Sequence, residues 1–181
     1  MDQEGKADFI PHLPSDRVRR FVNENPNAGW DGCLQFVLDN FPQVENGAIQ
    51  WLVEGGVAVH FLRPSRTIPE DIDIITRSKK MVREFVNASP KLDVKTVEDW
   101  FRFRLLGHNQ ESEEFLFRNN TAVPFRNGKI YVLNPVALAA SKTIPWGRSH
   151  VKRARDIEDI RILSVPEENV QEFIDQLKRN L

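Results

Sequence analysis

The chain has 181 residues, 40% of them hydrophobic and 28% charged, with a formal net charge of −1. That size supports one domain with a real core, and the near-neutral charge singles out neither nucleic acid nor a membrane surface as partner. Cys33 is alone, which excludes an internal disulfide and a thiolate metal cluster. No apolar run is long enough to cross a bilayer, and MDQEGKADF lacks the apolar centre of a secretion signal, so a cytoplasmic protein is expected.

In chain order, residues 1–13 carry prolines and little periodicity. Ser15 is placed to cap a short helix with Val18, Phe21 and Val22 on one face. Asp31 to Phe41 reads as a second helix. Ile49 to Val53 is the first core strand, Val57 to Leu62 a helix, and Asp71 to Thr76 a second strand. Ser78 caps a helix striped by Met81, Val82, Phe85 and Val86, and Leu92 to Val97 alternates as a strand. Phe101-Arg-Phe-Arg-Leu and Glu114-Phe-Leu-Phe also read as strands. Val123–Phe125 and Lys129–Leu133 flank Asn127-Gly128, a favoured hairpin turn. Asn134-Pro135 opens a helix with proline at its tolerated first position. Glu167 to Leu181 is an amphipathic helix, with Ser164 and Glu167 read as a capping box. The expectation is an α/β fold: a helical segment over 1–46, a mixed-sheet core over 47–133 and a helical part over 134–181, in one compact unit.

The richest stretch is WLVEGGVAVHFLRPSRTIPEDIDIIT, Trp51 to Thr76. An apolar run ends in Gly55-Gly56, and a second apolar run contains Asp71 and Asp73. Strand residues two apart share a face, so these two carboxylates point at one place. Crowded carboxylates favour a cation, and hard oxygen donors select Mg²⁺ or Mn²⁺. Gly55 and Gly56 permit a sharp turn whose N–H groups, with the next helix N-terminus, can cradle a phosphate. Arg66 is a further candidate for a phosphate contact. The histidines show no paired ligand spacing, so zinc is not expected.

Strand, Gly-Gly, short helix, Arg and then Asp-Ile-Asp resembles the nucleotidyltransferase superfamily of polymerase-beta type, most of all its abortive-infection and toxin-type members. IYVLNPVALAASK (Ile130 to Lys142) and HVKRARDIEDIRIL (His150 to Leu163) are similar to the second half of those proteins. The resemblance spans about Gln50 to Leu163 and implies a polymerase-beta-like fold. It implies metal-dependent transfer of a nucleoside monophosphate from a triphosphate to a hydroxyl of RNA or tRNA, a protein or a small molecule. An antitoxin partner is implied as well. Asp71 and Asp73 would be metal ligands. Lys142 would face the triphosphate, and Asp156, with Asp159 as competitor, would be the later site carboxylate. A third carboxylate often completes such sites. Glu114 is the first choice because it opens an apolar segment, with Glu113 and Asp93 competing. Val57 stands where the family commonly has Ser or Thr, leaving the cradle to backbone groups. Six basic residues between Lys142 and Arg161 (Lys142, Arg148, Lys152, Arg153, Arg155, Arg161) outnumber three acids, which leans towards an RNA acceptor. The alternatives are an antibiotic adenylyltransferase of aminoglycoside type and a non-catalytic interaction module on the same fold.

Overall fold

In the computed structural model, the structure describes residues 13–64, 68–144 and 154–181. Helices α1 (Asp16–Glu24) and α2 (Trp30–Asn40) come first, then a small antiparallel pair, β1 (Val44–Glu45) and β2 (Ala48–Ile49). The core strands and their helices follow: β3 (Trp51–Glu54), α3 (Gly55–Leu62), β4 (Ile72–Thr76), α4 (Lys79–Phe85) and β5 (Leu92–Thr96). After α5 (Val97–Leu105) and α6 (Gln110–Arg118), the hairpin β6 (Asn120–Phe125) and β7 (Gly128–Leu133) completes the sheet. Helices α7 (Pro135–Thr143), α8 (Ala154–Leu163) and α9 (Glu167–Arg179) end the chain.

The larger sheet has five strands in the order β5-β4-β3-β7-β6. It is mixed: β3 runs antiparallel to β4 and parallel to β7, and β4 runs parallel to β5. The result is the mixed α/β architecture expected. Central strand β3 is buried along its whole length, which is why WLVE reads as a continuous run rather than an alternation. Helices cover both faces. The Trp51 indole donates to the Phe41 carbonyl beyond α2 at 3.1 Å, whereas Trp100 of α5 donates to Glu54 at 2.9 Å, on the face of opposite strand parity. Trp51, Leu52, Ile72, Ile74, Ile75, Trp100 and Phe101 are among the largest fully buried side chains.

Capping chemistry explains the helix starts. Ser78 accepts from the Met81 amide at 3.1 Å, and Asn134 accepts from the Ala137 amide at 2.9 Å ahead of Pro135.

Two expected strands are helices. Phe101-Arg-Phe-Arg-Leu lies in α5, where Val97, Trp100 and Phe101 recur at helical spacing on the buried side and Thr96 caps the start through the Asp99 amide. Glu114-Phe-Leu-Phe lies in α6, begun by a capping box between Asn109 and Ser112. In both, a cap and a three-to-four spacing outweigh a period-two pattern in a few residues.

Smaller corrections follow the same logic. The hairpin pairs Phe125 with Gly128, so its two loop residues are Arg126 and Asn127, one position earlier than expected. Ser164, at φ 53°, ends α8 and donates to the Arg161 carbonyl at 3.1 Å, and Pro166 stands at the start of α9.

Candidate active site

Strand register builds the site. Glu54, the last residue of β3, pairs with Asp73 of β4, and Asp73 pairs with Asp93 of β5. Three carboxylates therefore stand in a row across three adjacent strands on one face. Lys95, two residues beyond Asp93, shares that face. Asp71 lies just ahead of β4 and lines the same cleft. The cleft holds about 1240 Å³ and is also bordered by Gly55, Gly56, Arg104, Lys142 and Asp156.

Gly55 sits at φ +65°, and a Cβ there would overlap Oδ2 of Asp73 and lie 3.0 Å from its Cγ. The first glycine thus serves two needs, a left-handed backbone and room for the Asp73 carboxylate. No side chain of the residue before it caps α3, so the first-turn N–H groups are not taken by that device.

The charges are tightly arranged. Lys95 Nζ lies 2.9 Å from Glu54, 3.1 Å from Asp93 and 3.7 Å from Asp73. Glu54 is only 2% exposed. Burial alone would raise its pKa, but Lys95 and Arg104, with hydrogen bonds from Lys95 and Trp100, outweigh that and hold it below the usual value. Asp73 is pushed up to about 6: burial is the main cause, opposed by Lys95, and reinforced by Glu54, Asp93 and Asp71. In Lys95 the balance is reversed: burial disfavours its charge, but its carboxylate neighbours Glu54, Asp73 and Asp93 more than compensate, so its pKa also rises and it stays charged. Arg104, buried over the Trp100 ring at 5.1 Å, donates to the Ser141 carbonyl and, at 3.3 Å, to the Ile144 carbonyl.

At the cleft's other wall, Lys142 of α7 bridges two aspartates of α8. Its ammonium is 3.2 Å from Asp156 and 2.7 Å from Asp159; both aspartates are buried and the lysine is mostly so. The resemblance makes Asp156 and Asp159 competitors for one role; the structure gives both to the same lysine.

The structure thus brings Gly55, Gly56, Asp71, Asp73, Lys142 and Asp156 to one cleft. Glu114 is placed elsewhere. It lies on α6, 2.6 Å from Arg77, with Glu113 3.5 Å from the same guanidinium. Arg77 follows Thr76, at the end of β4 opposite Asp73. Reading Glu114 as the opening of a strand put it at the wrong edge. Arg66 falls outside the described residues, as does the basic segment around Trp146 to Arg153.

Glu54, Lys95 and Arg104 were not foreseen as site residues. An acid closing the apolar run WLVE, immediately before two glycines, was a usable signal. So was the parity of Asp93 and Lys95 in LDVKT.

Among the described residues, no three His, Cys, Asp or Glu side chains converge to hold a metal ion by themselves. The donor set still fits a magnesium-type ion. Asp71 and Asp73 offer hard oxygens at the cleft, and such an ion commonly takes one or two carboxylates and completes its shell with water and phosphate oxygens. The missing side chain at Gly55 lets the Asp73 carboxylate sit against the turn that opens α3, where a phosphate-bound ion would be met.

No protein-family description matches the chain, and no curated protein is significantly similar to it. Among solved structures it is similar to the crystal structure of an antigenic nucleotidyltransferase-like protein from Paracoccidioides brasiliensis. The two share 14% identity over 92% of this chain and 89% of that one, with a TM-score of 0.44.

Proposed function

We propose that this protein is a metal-dependent nucleotidyltransferase, moving a nucleoside monophosphate from a triphosphate to a hydroxyl on RNA or tRNA, a protein or a small molecule. The observation that carries the reading is the seating of the Asp73 carboxylate against Gly55 at the start of α3, with Asp71 in the same cleft. A phosphate-binding turn and hard-oxygen donors thereby meet at one point.

In this reading Asp71 and Asp73 hold Mg²⁺ (or Mn²⁺), which when bound neutralises phosphate charge and lowers the pKa of the attacking hydroxyl. The backbone N–H groups opening α3 orient the phosphates, aided by the positive end of the helix dipole. Lys142 presents its charge to the triphosphate oxygens. Asp156 and Asp159 hold that ammonium in place, so Asp156 acts through Lys142 as a positioning residue. Glu54, locked by Lys95 and Trp100, keeps the row of strand carboxylates in register. A toxin-like role with an RNA acceptor and an antitoxin partner rests on the likeness of the Lys142 and Asp156 segments to that group.

Incubation with labelled triphosphates and total cellular RNA tests the reading. Label should pass to an acceptor, and Asp71→Asn should abolish transfer while leaving the fold intact. Wild-type transfer by that variant would refute the assignment.

A second reading, a non-catalytic module of the same architecture, is favoured by one observation: Lys95 already pairs with the strand carboxylates. Thermal melting with Mg²⁺ and each nucleoside triphosphate separates the two, since a ligand that binds the folded state raises the midpoint. No rise at millimolar ligand would favour the module.

A further inference from the structure

Nucleotidyl transfer is commonly served by a pair of divalent ions bridged by shared carboxylates. In this sheet, the place where a second ion would bridge Asp73 and Asp93 is held by an ammonium. Lys95 Nζ lies 3.1 Å from Asp93 Oδ2 and 3.7 Å from Asp73 Oδ1. A magnesium-type ion needs oxygen ligands at about 2.1 Å. Bridging those same carboxylates would press it against the lysine, cation on cation.

Nor is the lysine easily displaced. It also pairs at 2.9 Å with Glu54, whose carboxylate is buried and held by the Trp100 indole. Withdrawing the ammonium would strand that buried acid without its strongest partner. Lys95 reaches this position because strand period sets it on the Asp93 side of β5 and parallel register sets β5 beside β4.

Resting on the metal-dependent reading above, we infer that the centre takes a single divalent ion, at Asp71 and Asp73, and that the Lys95 ammonium occupies the seat of a second. Lys95 is in this sense a positioning residue: it fixes Asp73 and Asp93 and sets how many ions the site accepts. Asp93 is consequently a partner of Lys95 and not a ligand.

The test counts Mn²⁺ by equilibrium dialysis, with electron paramagnetic resonance on the same samples. The nucleotide probe is a mixture of the four α,β-imido ribonucleoside triphosphates, which cannot be turned over. The wild type should bind one Mn²⁺ per chain and show the spectrum of an isolated ion. The variant Lys95→Ala with Glu54→Gln, which removes the lysine without stranding the Glu54 charge and leaves Asp73 and Asp156 near Arg104, should take up a second ion. Its second site should bind at least ~10-fold tighter than any second site in the wild type and give a spin-coupled signal. Two coupled ions in the wild type would overturn the inference while leaving the metal-dependent reading intact. So would a folded double variant, checked by circular dichroism, that stays at one ion. If the double variant does not fold, the wild-type count alone decides. No Mn²⁺ bound to the wild type at millimolar concentration would overturn both.

Discussion

The contact between Gly55 and Asp73 permits a quantitative test of how the site is built. Gly55→Ala introduces a methyl group at φ +65°, which by itself costs about 1–2 kcal/mol for an L-residue. The same methyl overlaps Asp73 Oδ2 and lies 3.0 Å from Cγ, so the carboxylate must move or the strand must shift. Overpacking of that kind adds about 1–3 kcal/mol. In an Asp73→Ala background only the Asp73 Cβ, at 3.2 Å, remains to be met, and the added cost should largely vanish. A double-mutant cycle in urea, read by the fluorescence of buried Trp51 and Trp100, should therefore show a coupling of about 1–3 kcal/mol between the two positions. Gly55→Ala should also slow label transfer on the order of 100-fold, because a displacement near 1 Å at the reacting centre is enough for that. An equal loss of stability from Gly55→Ala in both backgrounds would show that the glycine is present for its backbone alone, and that its contact with Asp73 is incidental.

Other expectations follow from the charges. Asp73 has a folded pKa near 6, above its unfolded 3.8, so its ionisation opposes folding as pH rises from about 4 to 6. Asp73→Asn should accordingly be inactive yet more stable than the wild type at pH 7 by about 1–3 kcal/mol, a gain that disappears near pH 4 in denaturant titrations; a variant less stable at pH 7 would contradict this. Glu54 behaves oppositely. Its depressed pKa contributes stability above pH 4.5 that is lost on acidification, so Glu54→Gln should flatten the acid limb of the stability profile. Lys142→Met leaves Asp156 and Asp159 without their shared cation and should destabilise by about 3–5 kcal/mol, with substantial recovery when both aspartates are also made Asn. Glu114→Gln should cost no more than about 1 kcal/mol and leave label transfer unchanged, since Glu114 is a half-exposed partner of Arg77; abolished transfer would return it to the site.

Where local pattern carried the information, the sequence was readable. The segment from Trp51 to Thr76 combines a buried strand, two glycines and an Asp-x-Asp within 26 residues, and local pattern locates all three, although Asp71 falls just ahead of β4 rather than inside it. Asn134-Pro135 and Ser78 likewise announce their helices through caps that act within three residues. Pattern failed where two periods compete. Phe101-Arg-Phe-Arg-Leu alternates like a strand, but burial of Val97, Trp100 and Phe101 against the core decides for a helix, and that decision belongs to packing. Glu54, Asp73 and Asp93 become neighbours only once β3, β4 and β5 are paired, across 19 and 20 positions of sequence. Which strand lies beside which is a tertiary fact, and Lys95 acquires its partners from it. Glu114 was lost for the same reason, because its edge of the sheet depended on a strand that does not exist.

The row of acids across β3, β4 and β5 also bears on how the chain finds its fold. A slip of one residue between β3 and β4 would turn Ile72 and Ile74 towards the charged cleft and drive the Asp73 carboxylate into the apolar packing of the other face. Few misalignments could be penalised more heavily. The same side chains proposed for chemistry thus act earlier as a key that admits one alignment of the central strands, so neutralising them should broaden the set of compact states even where the melting temperature rises.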